Sequence, residues 1–194
     1  MSNPQPLKFL GIPGSLRRDS YNLALLRTAE ELLPPHITLD IFTLHDIPMY
    51  NSDVEREATP EPVIAFREAI KAADALIIST PEYNYSIPGV LKNGIDWGSR
   101  RAEDTVSPLF QKPIAIMGAG GRLGTALAQR HLRDILLHEQ APLVLYPQVM
   151  VAGAWQEFDE NGHLNNDRYR QQISNLLTAL AQLAYQQQSL TNNS

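Results

Sequence analysis

Short apolar runs recur along this 194-residue chain, each parted from the next by a longer stretch in which apolar side chains return every three or four positions. A run too short for a helix and bounded by turn residues reads as a strand buried on both faces. Alternating such strands with helices points to a parallel sheet covered by helices on both sides. The strands fall at residues 8–13, 37–42, 75–80, 113–117 and 143–151, the last bent or at an edge because Pro147 interrupts it.

Between them lie helical spacings. Leu23, Leu26 and Leu33 follow Ser20; Val63, Phe66, Ile70 and Ala73 follow Pro60; Leu132, Ile135 and Leu136 follow Gly124. Thr59 and Pro60 read as an N-cap and first helical position. A last helix carries Ile173, Leu176, Leu177, Leu180 and Leu183, ahead of a polar tail at 186–194. Because crossovers between parallel strands are right-handed, five strands and five helices give an α/β, doubly wound five-stranded parallel sheet in the flavodoxin-like order 2-1-3-4-5. The chain, residues 1–194, is read as one domain, with 1–6 and 186–194 as flexible ends.

Composition then removes functions. The net charge of −5, with basic residues scattered, argues against nucleic acid as a partner. There is no cysteine, so disulfides, thiolate nucleophiles, iron–sulfur clusters and cysteine-held zinc are excluded. Any redox chemistry must come from a bound cofactor. Residues 1–6 lack a signal-peptide pattern, and no apolar run approaches the roughly 20 residues of a membrane span, so a cytoplasmic location is expected. His36, His45, His131, His138 and His163 lack tight ligand spacing, so no metal is expected; there is no G-x-S-x-G elbow, and Asp46, Asp53, Glu55 and Glu57 read as a solvated connection that could border a pocket.

The chemistry is concentrated where strands end. The first strand runs into Gly14-Ser15-Leu16-Arg17-Arg18-Asp19-Ser20-Tyr21-Asn22. Gly14 permits a tight turn, Ser15, Ser20 and Asn22 offer hydrogen bonds, Arg17 or Arg18 offers charge, and a helix start supplies free N–H groups, which together make an anion site. It matches neither G-x-G-x-x-G nor G-x-x-x-x-G-K-[ST], so one terminal phosphate fits better than a pyrophosphate. The plainer alternative is that Ser20 caps a helix and the arginines are solvated. The third strand delivers Pro81-Glu82-Tyr83-Asn84-Tyr85-Ser86, suited to a flat ring with polar edges, or else a turn whose tyrosines pack on the sheet edge. The fourth ends in Gly118-Ala119-Gly120-Gly121-Arg122-Leu123-Gly124, which lets backbone approach a flat ligand.

Taken together, Gly14-Ser15-x-Arg17-x-x-Ser20-x-Asn22 and Pro81-Glu82-Tyr83-Asn84-x-Ser86-x-Pro88-Gly89-x-Leu91-Lys92-Asn93-x-Ile95-Asp96-Trp97 resemble the NAD(P)H-dependent FMN reductase family, closest to members with quinone, chromate or azo-compound reductase activity. The resemblance implies a flavodoxin-like fold and bound FMN, with Ser15, Arg17, Ser20 and Asn22 on the phosphate and Pro81, Glu82, Tyr83, Asn84 and Tyr85 along the isoalloxazine ring. It extends to Gly14, Gly118, Gly120 and Gly121, although the third loop departs from the family pattern and Gly94 stands where alanine is usual.

Membership of such a family would make the chain an enzyme that takes hydride from NADPH or NADH and reduces a small-molecule acceptor by a ping-pong route. No side chain is assigned as catalytic, because the flavin carries the chemistry. The alternatives are a flavodoxin-type electron carrier and a flavin-free nucleotide-binding or hydrolytic domain. The resemblance also implies a homodimer or homotetramer, with residues 88–97 and Arg100-Arg101 as interface candidates.

Overall fold

The computed structural model describes residues 5–101 and 106–191. Its elements in chain order are β1 (Leu7–Pro13), α1 (Tyr21–Glu31), β2 (Ile37–Ile41), α2 (Ser52–Glu57), α3 (Glu61–Ala72), β3 (Ala75–Ser79), α4 (Gly89–Gly98), β4 (Ile114–Ala119), α5 (Ala126–Leu137), β5 (Val149–Val151), α6 (Ala154–Glu157) and α7 (Asp167–Thr191). The strands form one parallel sheet in the order β2-β1-β3-β4-β5, as expected from the alternation of strands and helices. Every residue of β3 and β4 is buried, which explains why both read as unbroken apolar runs.

The period of two divides the core between the faces. Ala75 and Ile77 of β3 lie with Leu25, Leu26, Leu176 and Leu180 of α1 and α7. Leu76 and Ile78 lie with Phe66, Ile70, Leu91, Leu132 and Leu136 of α3, α4 and α5. A slip of one residue would exchange these two sets, so the packing itself fixes pairs such as Leu76 with Ile114.

The structure corrects several local expectations. The last strand is only three residues, β5, with Leu143 touching Ile114 as an isolated bridge. Pro60, not Thr59, stands at the cap of α3, and it makes no side-chain capping bond. The acidic connection contains the short helix α2, and α6 follows β5; neither is long enough to show a period. Instead of a polar tail from Gln186, α7 continues to Thr191, with Gln188 Nε2 donating to Asp74 Oδ1 (2.9 Å). The rest of that tail, residues 192–194, and residues 1–4 at the other end lie outside the described residues.

Candidate functional site

Loops after β1, β3, β4 and β5 converge on a cavity of about 400 Å³ at the carboxyl edge of the sheet, in the size range of small-molecule sites. Ser15, Arg17, Ser20 and Asn22 line it from the first loop. Ser20 caps α1, its Oγ accepting from the N–H groups of Asn22 (3.2 Å) and Leu23 (3.4 Å), and its own hydroxyl hydrogen remains to donate. Capping and ligand binding are therefore compatible rather than rival roles. No acidic residue stands in the first turn of α1, so no side-chain charge there offsets its positive end, and Arg17 adjoins it with its guanidinium 5.2 Å from the Tyr21 ring centre.

Asn22 faces inward as well. Its Oδ1 accepts from the Ala119 N–H (2.9 Å) and the Ser79 hydroxyl (3.0 Å), and its Nδ2 donates to the Ala119 carbonyl (2.9 Å). This side chain ties the first loop to the end of β4, leaving at most one amide hydrogen for a ligand. Gly14 is not in the lining; its N–H donates to the Ser79 carbonyl (2.8 Å) and a methyl there would come within 3.3 Å of Pro81.

The third-strand loop is a two-residue hairpin. Tyr83 and Ser86 exchange backbone hydrogen bonds of 3.0 Å, and Asn84 and Tyr85 take φ of 51° and 63°. Both central residues are thus left-handed, a conformation that suits Asn but costs a tyrosine about 1–2 kcal/mol. The strain presents Tyr83 (53% exposed) and Tyr85 (68% exposed) outward; Pro81, Glu82 and Tyr83 line the cavity, whereas Asn84 and Tyr85 do not. Tyr85→Gly is expected to raise stability by about 1 kcal/mol, seen as a higher urea midpoint. A lower midpoint would show that the tyrosine contributes contacts worth more than the strain.

Glu82 turns away from a purely ligand-facing role. Its Oε2 accepts from the N–H groups of Leu127 (2.9 Å) and Ala128 (3.0 Å), in the first turn of α5. Ser86 Oγ lies 3.0 Å from His131 Nδ1 on the same helix, so α5 holds both legs of the hairpin.

Among the glycines after β4, Gly120 and Gly121 line the cavity and Gly118 does not. A methyl on Gly118 would fall 2.2 Å from Thr125 Oγ1, and one on Gly120 2.4 Å from the Gly124 carbonyl, so both are demanded by packing. Gly121 would meet nothing within 4 Å and opens on the cavity. The sequence reading missed Tyr21, Ala119, Ala154 and Trp155 in the lining. The signal available was Gly153-Ala154-Trp155 directly after the last strand, a fourth loop at the same sheet edge; Trp155 is 58% exposed.

The second half of the long motif does something else. Asn93 accepts from the Tyr50 N–H (2.7 Å) and donates to the Pro48 carbonyl (2.8 Å), which also receives the Trp97 indole N–H (2.7 Å). Trp97 is fully buried, which corrects its reading as an interface residue. Glu55 is no solvated acid: its carboxylate meets Arg67 Nη2 (2.9 Å), Arg100 Nε (3.2 Å) and the Tyr50 hydroxyl (3.0 Å). Burial alone would raise the Glu55 carboxyl, but hydrogen bonds from Arg67 and Tyr50 and the charge of Arg100 hold it below the usual range. This network straps the connection between β2 and α3 onto α4. Gly94 belongs to it, since a methyl there would reach within 3.0 Å of Leu44.

Residues 7–156 match the family model described as NADPH-dependent FMN reductase. The chain is 48% identical over 175 residues to an NAD(P)H-dependent FMN reductase of Pseudomonas aeruginosa, covering 90% of this chain and 93% of the relative. It is 40% identical over 156 residues to a quinone reductase of Pseudomonas putida, covering 80% and 83%. Among solved structures, it is similar to FerB, a flavoenzyme NAD(P)H:(acceptor) oxidoreductase from Paracoccus denitrificans, with a TM-score of 0.83, 28% identity and coverage of 93% and 98%.

Proposed function

The chain belongs to the NADPH-dependent FMN reductase family, and from that premise we propose that it is an FMN-dependent NAD(P)H:acceptor oxidoreductase whose cofactor lies in the cavity of about 400 Å³. The observation that carries this reading is the contrast between two helix caps, Ser20 and Glu82, that line one cavity. The start of α1 is capped by the neutral Ser20 hydroxyl, has no acid in its first turn and stands beside Arg17, while that of α5 is capped by the Glu82 carboxylate. A single monoester phosphate therefore has one place to go. Ser15, Ser20 and Arg17 hold it, with Asn22 and Gly14 keeping the loop in shape.

The ring lies against Pro81, Tyr83, Gly120 and Gly121, with Asn84 and Tyr85 on the hairpin beside it. Open backbone at Gly121 admits a flat edge. The chemistry supplied by bound FMN is acceptance of hydride from NADPH or NADH and, after NAD(P)+ leaves, delivery of two electrons to an acceptor. The protein contributes placement: a wall from the hairpin, open backbone at Gly121, and Tyr83 and Trp155 as aromatic surfaces for a second flat molecule. A quinone fits that surface best, and free flavin, azo compounds and metal oxyanions are further acceptors to try. The electron-carrier alternative has no support among the relatives, which are reductases.

We further propose a homodimer or homotetramer acting in the cytoplasm, where NAD(P)H is available. Exposed Tyr83, Tyr85, Leu123 and Trp155 on the loops at this edge favour cover by a second copy. Light scattering measures the assembly.

Arg17→Ala is expected to weaken FMN binding by about 1–3 kcal/mol through loss of a charged hydrogen bond to phosphate. Titration followed at the flavin absorbance reads this directly, and an unchanged affinity would remove Arg17 from the site. Anaerobic mixing with NADPH or NADH, followed by a panel of acceptors, tests the activity; wild-type protein that binds no FMN would overturn the reading.

A further inference from the structure

Helix α5 begins without a cap of its own. Thr125 occupies the cap position but makes no side-chain bond to the first turn. Its Oγ1 is fully buried with the rest of the side chain and instead accepts from Gln129 Nε2 (3.0 Å). The missing acceptor comes from the β3 loop, where Glu82 Oε2 takes the N–H groups of both Leu127 and Ala128. Glu82 also lines the cavity, so a carboxylate stands between a helix start and the proposed flavin.

That placement has an electrostatic sign. Without Glu82, the N–H groups of Leu127 and Ala128 and the positive end of α5 would lose the negative partner that lines the cavity. With it, those donors are occupied and a negative charge lines the cavity. A negative charge beside a group that becomes more negative on reduction disfavours the reduced form. At α1 the corresponding N–H groups are capped by the neutral Ser20 hydroxyl, so the two helix starts differ in the charge of their caps.

We propose that Glu82 is a positioning residue that, by capping α5 from another loop, fixes the hairpin and lowers the reduction potential of bound FMN. The inference rests on the reading of this cavity as an FMN site. It makes the loaded enzyme a stronger reductant toward its acceptor, at some loss of driving force for hydride transfer from NAD(P)H. No new redox step is needed: NAD(P)H, oxidised to NAD(P)+, gives a hydride, and its two electrons and proton, with a second proton from solvent, then pass to a quinone acceptor, which is reduced to the quinol.

The test compares wild type, Glu82→Gln and Glu82→Ala. Glutamine retains an amide oxygen for both N–H groups and removes the charge. In E82Q, reduced FMN is expected to gain about tenfold in affinity relative to oxidised FMN, a rise in midpoint potential of about 30 mV for a two-electron couple. A midpoint equal to that of wild type would overturn the proposal. Hydrogen exchange on the flavin-free protein supplies a second readout. The Leu127 and Ala128 amides should be protected in wild type and E82Q and exchange at least roughly tenfold faster in E82A, as expected when a capping acceptor is lost. Equal exchange in all three would show that the cap is absent, and would also overturn it. A wild-type protein that binds FMN while E82Q leaves the potential unmoved defeats this inference alone; one that binds no FMN defeats the functional reading and takes this inference with it.

Discussion

Arg67→Ala is expected to destabilise the fold by about 3 kcal/mol, at the lower end of the cost of breaking a buried ion pair from one side. The Arg67 side chain is 5% exposed; its Nη2 donates to Glu55, its Nε donates to the Trp97 carbonyl (2.9 Å), and its guanidinium lies 5.7 Å from the Trp97 ring centre. Removing it takes away one of the Trp97 carbonyl's hydrogen bonds and much of the compensation for a carboxylate that is only 16% exposed. The cost stays at the lower end because Tyr50 and Arg100 remain on Glu55. Lysine should rescue poorly, since an ammonium cannot bridge a carboxylate and a carbonyl as a planar guanidinium does. Urea denaturation at neutral pH reads the loss; a change below about 1 kcal/mol would place this pair with ordinary surface pairs.

The same network sets an acid limit. The Glu55 carboxyl titrates below its ordinary value of 4.5 in the folded protein, so its contribution is complete above that value. It declines as pH falls through the lower folded-state value, because the unfolded chain then binds the proton more readily. The slope of stability against pH below 4.5 should therefore be shallower in Glu55→Gln than in wild type.

Gly118→Ala carries the second large effect. The added methyl would lie 2.2 Å from Thr125 Oγ1 and 2.3 Å from the Thr80 carbonyl, distances that no rotamer change at one partner can relieve. Thr125 is held by Gln129, and the Thr80 N–H is bonded to the Met117 carbonyl (3.0 Å), so β3 and β4 must separate at their ends. Overpacking of this kind costs about 3 kcal/mol or more, and the displaced strand end carries the glycine loop with it. Both stability and FMN affinity should fall. Gly121→Ala is the matching control, because its methyl meets nothing within 4 Å and should leave stability unchanged.

These cases separate what was legible in the sequence from what was not. Strand order and the convergence of three loops followed from periodicity and from the rule that parallel sheets bind at their carboxyl edge. Ser15, Arg17, Ser20, Pro81, Tyr83 and Gly121 are among the residues that line the cavity. No local pattern carried the partner of each polar group. Glu82 reads as a ring-edge ligand until Leu127 and Ala128, 45 and 46 positions on, are seen to donate to it. Asn22 and Ala119 are 97 positions apart. Glu55 reads as solvent-facing because its counter-charges lie on and just beyond later helices, and the short helices α2 and α6 are below the length at which a helical period can be recognised.

The brevity of β5 matters to the behaviour of the protein at high concentration. An edge strand offers a neighbour's chain a row of unpaired N–H and C=O groups, and a long flat one invites sheet-to-sheet aggregation. Three residues, preceded by Pro147, give an incoming strand too little to grip. At the opposite edge, Asp40 of β2 forms an exposed ion pair with Lys8 (2.8 Å), placing charge where an approaching strand would have to bury it. The sheet thus ends on both sides in features that discourage its continuation into another molecule.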